Sequence, residues 1–170
     1  MEPIKKSTNW FAVYTKSRSE QKVFERIEKA GYKSFLPLTT ELRQWSDRKK
    51  KVKVPLISSY VFVKVQEKDL VAIYTIPGVV GVLKYLGHPA KITDVEINNL
   101  KIVANHKEAT KTIAPCLLTH GKPVQVIKGP FKGLIAVYLS NKGKHRIVVN
   151  IEALNSFTEI NLPLSHIQNI

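Results

Sequence analysis

The stretch WFAVYTKSRSEQKVFERIEKAG, residues 10–31, has the clearest local pattern in the chain and decides its fold class. Its first six residues are mostly aromatic or β-branched, which is typical of a strand. Ser17 and Glu20 then have the spacing of a capping box, apolar side chains recur on one helical face, and Gly31 stands where a helix C-cap belongs. The stretch therefore predicts a strand followed at once by an amphipathic helix.

More strands and helices follow as far as residue 105. Strands are predicted where the strand propensity is high, and helices where apolar residues recur every three to four positions. Their order predicts an α+β sandwich, in which helices lie against one antiparallel sheet. The predicted elements are a strand at 33–42, an exposed basic hairpin or loop at 43–53, a strand at 55–65, a short helix at 68–74, a strand at 79–85 and a helix opened by the capping-box spacing of Thr93 and Glu96.

The periodic pattern is lost from His106 to Cys116, where the residues have the character of a linker. About fifty residues of short strands without a helical period follow and indicate a small β-barrel, and barrels of this size are often binding modules. We therefore expect domains at 9–105 and 118–170, joined by a linker at 106–117. The short strands are predicted at 123–128, 134–139, 146–151 and 157–162.

Composition narrows the class of protein. The 170 residues include 27 Lys and Arg against 13 Asp and Glu, a net charge of +14, and basic residues outnumber acidic ones on both sides of residue 106. Such a charge favours phosphate-rich or acidic partners, because a positive field concentrates anions. The single cysteine, Cys116, excludes an intrachain disulfide and fits a reducing cytoplasm. The N-terminus lacks the apolar core of a signal peptide and no apolar run could span a bilayer, so we expect a cytoplasmic protein.

Residues for catalysis are in short supply. The five histidines are scattered over predicted turns and the linker, and few acidic residues follow position 106. No P-loop, Gly-x-Ser-x-Gly or His-Glu-x-x-His motif occurs in the sequence. We therefore expect no enzyme activity, no metal and no cofactor.

An aromatic and apolar group is the first candidate for binding. Trp10, Tyr14, Ile57, Tyr60 and Phe62 come from two predicted strands, and alternation places Tyr60 and Phe62 on the same side. The group is either plain hydrophobic core or, for tyrosines whose hydroxyls need a partner, a face that binds another protein.

Two further segments have a structural and a functional interpretation. The basic run Arg48 to Lys51, near Trp45, is either a solvated hairpin or a nucleic-acid contact with a stacking ring. Gly129-Pro130-Phe131-Lys132-Gly133 lies between two predicted strands, where the glycines permit a tight turn and Phe131 can close the end of the barrel.

Four motifs in this order resemble the NusG-type transcription elongation factors, over nearly the whole chain. The resemblance implies an N-terminal NusG-specific (NGN) domain and a C-terminal KOW domain, with the motif at 129–133 belonging to the latter. Within that family, the chain is similar to the operon-restricted antiterminators of the RfaH and capsule-locus (UpxY) type, and the segment 44–51 resembles the capsule-locus group in particular. The motifs are Trp10 to Tyr14, the segment 55–65 with Tyr60-Val-Phe-Val, Ile76-Pro-Gly-Val-Val-Gly81, and Gly121 to Gly133.

The resemblance also implies a partner. Family members bind the clamp helices of the RNA polymerase β′ subunit through an apolar depression, reach across the nucleic-acid cleft toward the β gate loop, and thereby suppress pausing. No threonine-rich contact to that loop is recognisable near Asp69 to Thr75. Ile57-Ser58-Ser59-Tyr60 stands where the family usually has Phe-Pro-Gly-Tyr. Carried over by position, the residues of the depression are Tyr14, Leu56, Ile57, Tyr60, Phe62 and Val79.

Nucleic-acid contacts follow from the same resemblance. Lys16 matches the position that touches exposed non-template DNA, and other basic residues extend that patch toward DNA or nascent RNA. In the KOW domain, Ala153-Leu154-Asn155 stands where housekeeping members present Ile-Phe-Gly to the Rho factor or ribosomal protein S10, which argues against strong Rho recruitment and leaves a ribosomal contact through Leu154. The implied nucleic-acid residues are Lys16, Arg18, Lys22, Arg48, Lys49, Lys50 and Lys51.

The leading hypothesis is a monomeric, non-enzymatic elongation factor that binds RNA polymerase and suppresses termination in a specific long operon, such as one for surface polysaccharide. Two alternatives stay open. One is a housekeeping NusG, and the other is an RNA-binding or ribosome-associated KOW protein, for which the basic surfaces alone would suffice.

Overall fold

The computed structural model describes residues 8–44, 48–105, 121–141, 144–151 and 156–170. The predicted linker at 106–117, Trp45 and the loop at 153–155 lie outside these residues. The strands are β1 Asn9–Thr15, β2 Lys33–Phe35, β3 Leu38–Gln44, β4 Lys49–Pro55, β5 Tyr60–Val65, β6 Val79–Val82, β7 Lys84–Tyr85, β8 His88–Pro89, β9 Lys91–Ile92, β10 Lys122–Val126, β11 Ile135–Asn141, β12 Lys144–Ile151, β13 Ser156–Asn161 and β14 Ile167–Asn169. The helices are α1 Glu20–Lys29, α2 Leu70–Tyr74 and α3 Asp94–Ala104, with 3₁₀ helices at Glu67–Asp69 and Leu164–His166.

The chain divides by its internal contacts into two units. Unit 1 comprises Met1–Leu36 and Ile57–Thr93, and unit 2 comprises Pro37–Leu56 and Asp94–Ile170. The predicted domain boundary at 105 stays a prediction, because the linker residues lie outside the part of the chain that the structure describes.

Unit 1 is an antiparallel sheet with helices packed on it. The strand order is β2-β5-β1-β6, and β9 also pairs with β1, so β1 is central. The helix α1 packs on β2 and β5 through Val23 and Ile27, and α2 packs on β6. Burial of these apolar side chains drives the two layers together.

Unit 2 contains the β3–β4 hairpin, α3 and a second antiparallel sheet in the order β13-β12-β11-β10-β14. Its core centres on Phe131 and Leu134, and Val103 of α3 is buried in the same cluster. Asn99, also buried on α3, donates to the carbonyl of Ile135 at 2.6 Å and accepts from its backbone N–H at 3.1 Å. The fold is therefore α+β with an antiparallel sheet and helices followed by the strands of a small β-barrel, as predicted.

Several predicted boundaries were wrong in position. The strand predicted at 33–42 is interrupted at Pro37, which separates β2 from β3. The strand predicted at 55–65 begins only at Tyr60, because Ser59 has a left-handed backbone with φ of 64°. A fifth strand of the second sheet, β14, was not predicted, because it has only three residues.

The capping box predicted at Ser17 and Glu20 does not form. Ser19 is the N-cap residue of α1 and makes no side-chain capping hydrogen bond. Glu20 instead receives a hydrogen bond from the backbone N–H of Ser59. Within the described ranges, no helix is both long and apolar enough to cross a membrane.

Candidate functional site

Two tyrosine rings meet at one end of the sheet of unit 1. Tyr14, at the end of β1, lies directly opposite Tyr60, at the start of β5, in the antiparallel register. Their ring centroids are 5.4 Å apart with an interplanar angle of 55°, a tilted geometry favourable for aromatic pairs. Tyr14 is 43% exposed and Tyr60 is half-buried, so the pair presents a partly apolar surface to solvent.

The tyrosine hydroxyls are available to a partner. Among the described residues, neither hydroxyl has a hydrogen-bond partner, so each can donate to or accept from another molecule. Burial raises the pKa of the Tyr60 phenol above its ordinary value of 10.0, and the neighbouring Tyr14 raises it further. The upward shift of the pKa favours the neutral Tyr60 hydroxyl, the form that can donate a hydrogen bond.

A network of backbone and carboxylate contacts holds Tyr60 in place. Ser59 donates its N–H to Glu20 Oε1 at 2.7 Å, and its carbonyl accepts from the N–H of Thr15 at 2.9 Å. Glu20 is a buried acidic residue, so its carboxylate depends on such donors to offset the loss of hydration. The start of β5 is thus tied both to β1 and to the first turn of α1.

The sheet register brings Val79 beside this end of β1. Val79 pairs with Thr15 across β1 and β6, and the register shifts between Tyr14 and Thr15. Such a bulge re-aims side chains at the end of a strand. Val79 is half-buried and Ile57 is buried, with an exposed fraction of 9%. Both belong to unit 1 with the tyrosine pair. We use the name tyrosine face for Tyr14 and Tyr60, and the assignment of Ile57 and Val79 to the same site stays a prediction.

Two of the residues assigned to the apolar depression have other surroundings. Phe62 lies on the same side of β5 as Tyr60, as the alternation predicts, but its side chain is completely buried and its ring centroid lies 6.2 Å from that of Phe35. It supports the sheet from within rather than presenting a surface. Leu56 belongs to unit 2 and packs, half-buried, against the core of that unit.

A basic turn directly follows Tyr14. Lys16 donates its N–H to the carbonyl of Gly78 at 2.9 Å and accepts from the N–H of Ser19 at 3.0 Å, which closes a tight turn. Arg18 at its apex has a left-handed backbone with φ of 60°. The side chains of Lys16, Arg18 and Lys22 are exposed, so all three can reach an anionic partner.

The other predicted basic residues lie in unit 2, on the β3–β4 hairpin. Lys49, Lys50 and Lys51 are exposed at the start of β4, and Arg48, also exposed, directly precedes them. The predicted nucleic-acid residues therefore fall into two groups, one in each unit.

The predicted KOW motif at 129–133 is a turn with a buried anchor. Phe131 is fully buried in the core of unit 2, while Pro130 and Lys132 are exposed around it. Gly129 and Gly133 have φ values of 82° and 91°, which L side chains rarely adopt. Gly133 donates to the carbonyl of Val126 at 2.8 Å, so the motif joins two strands and seats Phe131 beneath them.

Sequence reasoning missed the role of Glu20 and the conformation of Ser59. The spacing of Ser17 and Glu20 favoured a capping role for this glutamate, and no local pattern indicated its contact with Ser59. A serine in the sequence does not indicate a positive φ. The described part of the chain contains no cluster of three or more His, Cys, Asp or Glu side chains that could hold a metal ion.

Comparison with known proteins identifies relatives over nearly the whole chain. A family model described as "Transcription termination factor nusG" matches residues 8–101, more than half of the chain. The transcription termination/antitermination protein NusG of Rickettsia bellii (strain RML369-C) is 26% identical over 176 residues, which cover 96% of this chain and 91% of that protein. The protein of the same name from Helicobacter pylori (strain J99) is 26% identical over 177 residues, 95% of this chain and 98% of the relative.

A solved structure of Thermotoga maritima NusG, concerned with domain interaction in that protein, has the same fold. It matches with a TM-score of 0.50 and 24% identity, and covers 96% of this chain and 98% of that one. A likeness at this level of identity supports the fold alone.

Proposed function

Since this chain belongs to the NusG family of transcription factors, we propose that it binds bacterial RNA polymerase through the tyrosine face and suppresses pausing and termination in a specific long operon. The observation that carries this proposal is the partly exposed Tyr14–Tyr60 pair, whose ring centroids are 5.4 Å apart. Rigid aromatic side chains with a free polar end are typical anchors of protein interfaces.

The occupant we propose for the tyrosine face is the pair of clamp helices of the polymerase β′ subunit. Tyr14 and Tyr60 would lie on the apolar side of these helices and donate their hydroxyls to polar groups at the rim. Glu20 and Ser59 would act indirectly, because they hold the start of β5 where Tyr60 can make that contact. The β gate loop and ribosomal protein S10 remain further proposed partners, supported by the resemblance only.

The basic turn supplies a second proposed contact. Lys16 follows Tyr14 by two residues, so a protein seated on polymerase through the tyrosine face would carry Lys16, Arg18 and Lys22 close to that seat. Exposed lysine and arginine side chains bind phosphates without reading sequence. We assign this turn to the exposed non-template DNA strand.

The decisive experiment is binding of the purified full chain to core RNA polymerase from its own organism, measured by fluorescence anisotropy at physiological salt. Tyr60→Ala should weaken binding by about 2 kcal/mol, roughly thirtyfold, as loss of an aromatic anchor does. Tyr85→Ala is the matched control, because Tyr85 is a 71% exposed tyrosine of the same unit outside the face. Equal affinity of the two variants would refute the tyrosine face as the polymerase site.

Housekeeping NusG is the second candidate function, because the curated relatives at 26% identity bear a name that covers both termination and antitermination. Transcription in vitro over a Rho-dependent terminator separates the two. A specialised antiterminator should increase readthrough, since Ala153-Leu154-Asn155 lacks the aromatic residue that the resemblance links to Rho. Stimulated termination would favour the housekeeping role.

A further inference from the structure

The β3–β4 hairpin has two faces of different composition. Cross-strand partners in an antiparallel pair point to the same side, and successive residues point to opposite sides. The register pairs Thr40 with Lys53 and Leu42 with Lys51. It also pairs Gln44 with Lys49, so three lysines share one side. We call this side, with Lys49, Lys51 and Lys53, the lysine face.

The lysine face is a continuous positive surface. All three lysines are exposed, and their register partners on that face are uncharged. Alternate residues of a strand are about 6.8 Å apart, so three lysines form a row about 13 to 14 Å long. Among the described residues of the hairpin, no acidic side chain lies on this face to neutralise the row.

The opposite face differs in charge and in exposure. Arg43 and Lys50 are register partners there, and the Arg43 guanidinium Nε lies 3.8 Å from the carboxylate of Glu41 on the same face. Val52 and Val54, further along that side, are half-buried. The opposite face is thus partly covered and partly neutralised, whereas the lysine face is open.

We propose that the lysine face binds the phosphate backbone of duplex DNA, and that the opposite face does not. The proposal goes beyond the proposed function, which assigns nucleic-acid contact to the basic turn of unit 1. It develops the sequence-based prediction for the run Arg48 to Lys51, and it names the face and the form of nucleic acid. Duplex DNA carries one negative charge per about 1.7 Å of its axis, so a row of 13 to 14 Å faces about eight charges. The negative charges of the duplex therefore complement the positive charges of the three lysines.

A single strand fits the lysine face less well. Proteins hold single strands largely by stacking bases on aromatic rings, and no register position of the lysine face holds an aromatic side chain. Trp45, the stacking ring considered from the sequence, lies outside the described residues. Lysine ammonium groups act as point charges that bind phosphates without a planar geometry. The face therefore suits a regular double backbone better than unstacked bases.

The test compares two charge-matched double variants of the full chain. Lys51→Gln with Lys53→Gln removes two charges from the lysine face, and Arg43→Gln with Lys50→Gln removes two from the opposite face. Binding to a mixed-sequence DNA duplex is measured over a range of salt concentrations. The lysine-face variant should reduce the slope of log K against log salt by about 1.8, since each phosphate contact contributes about 0.9, and the opposite-face variant by less than half as much.

Three outcomes would overturn the proposal. Equal slopes for the two variants would mean that only the overall charge matters. If the wild type did not bind the duplex, duplex DNA would not be the ligand of this face. If the lysine-face variant lost more affinity for single-stranded RNA than for duplex DNA, the face would be assigned to RNA. Polymerase binding is measured on the same variants and should be unchanged, so that failure of the tyrosine face and failure of the lysine face are distinguishable. Circular dichroism of each variant checks that the hairpin is folded.

Discussion

Ser59 has a conformation that its side chain does not favour. Its φ of 64° lies in the left-handed region, where L residues other than glycine are strained by about 1 to 2 kcal/mol. The hydrogen bonds with Glu20 and Thr15 hold it there, and Tyr60 follows directly. The position of one ring of the tyrosine pair therefore depends on a strained neighbour.

Ser59→Gly should stabilise the protein by up to about 1 kcal/mol. Glycine removes the left-handed strain, although it also increases the entropy of the unfolded chain by about 0.5 to 1 kcal/mol. Equilibrium unfolding in urea measures the difference. Ser58→Gly is the control, because Ser58 has no positive φ and should only lose stability. A lower stability of Ser59→Gly than of Ser58→Gly would contradict this account.

The stability of the protein should depend on Tyr60 at alkaline pH. Burial, and then Tyr14, raise the pKa of the Tyr60 phenol in the folded state above 10.0. Below the ordinary pKa both states keep the proton and the contribution of Tyr60 is fully present. As the pH rises further the unfolded state ionises first, so stability falls and the contribution is lost as the pH passes through the folded-state pKa.

This pH dependence is checked by urea unfolding of the wild type and Tyr60→Phe at several pH values from neutral to above 10. The free energy of unfolding should decline less steeply in the variant, which has no ionisable phenol at that position. Parallel curves would show that Tyr60 ionises equally in both states.

For a single residue, the sequence predicts which side of a strand its side chain lies on, but not how deeply other elements bury that side chain. Tyr60 and Phe62 share a side of β5, as their alternation indicates, yet one is half-buried and the other fully buried. Depth of burial depends on the residues packed above the sheet, such as Phe35 against Phe62, and those come from other elements. The tyrosine pair was therefore predictable, and the burial of Phe62 was not.

Among the elements, the turn before β6 packs tightly against α1. A Cβ atom on Gly78 would lie 2.8 Å from Val23 Cγ2, and the φ of Gly78 is 99°. The carbonyl of Gly78 also accepts the hydrogen bond from Lys16 that shapes the basic turn. Gly78 therefore contacts α1 through its close packing on Val23 and fixes the basic turn through its hydrogen bond with Lys16.

Gly78→Ala should destabilise the protein by about 2 to 4 kcal/mol, because the clash with Val23 adds to the cost of a positive φ. Gly81→Ala is the control, since no heavy atom lies within 4 Å of a Cβ there. It should change stability by less than about 1 kcal/mol. Thermal or urea unfolding gives both values, and similar effects of the two substitutions would contradict the packing argument.

Elements were easier to predict than their ends. The strand and helix of residues 10–31 are confirmed, because strand propensity and helical periodicity are local signals. The ends of β2 and β5 depend on Pro37 and on the conformation of Ser59, and the latter is imposed by contacts with Glu20 and Thr15. Contacts between residues distant in sequence leave no periodic trace.

For the whole molecule, the position of α3 is the least expected feature. A buried asparagine in the middle of a helix is a poor helix former and gives no apolar signal. Its side chain nevertheless makes both a donor and an acceptor bond with the backbone of Ile135. Together with Val103, Asn99 makes α3 part of the core of unit 2.

Asn99→Ala should destabilise unit 2 by about 1 to 3 kcal/mol, because it leaves the part-buried N–H and carbonyl of Ile135 without their side-chain partner. Asn98→Ala, at an exposed neighbouring position, should stay within about 0.5 kcal/mol of the wild type.

Amide hydrogen exchange shows where the destabilisation of Asn99→Ala spreads. Protection should fall in α3 and β11 together, and β1 should be unaffected. Loss of protection in α3 together with β1 would instead favour the boundary predicted from the sequence at residue 105.

The register of the β3–β4 hairpin bears on how this segment can evolve. Lys49, Lys51 and Lys53 occupy odd positions, while Lys50 occupies the opposite face. Selection for a positive lysine face would act on whether lysines occupy alternate positions of β4, and not on how many lysines the strand contains. A one-residue deletion within β4 would exchange the two faces while leaving the lysine content unchanged. Changes in strand length between homologues of the hairpin should therefore come in steps of two residues.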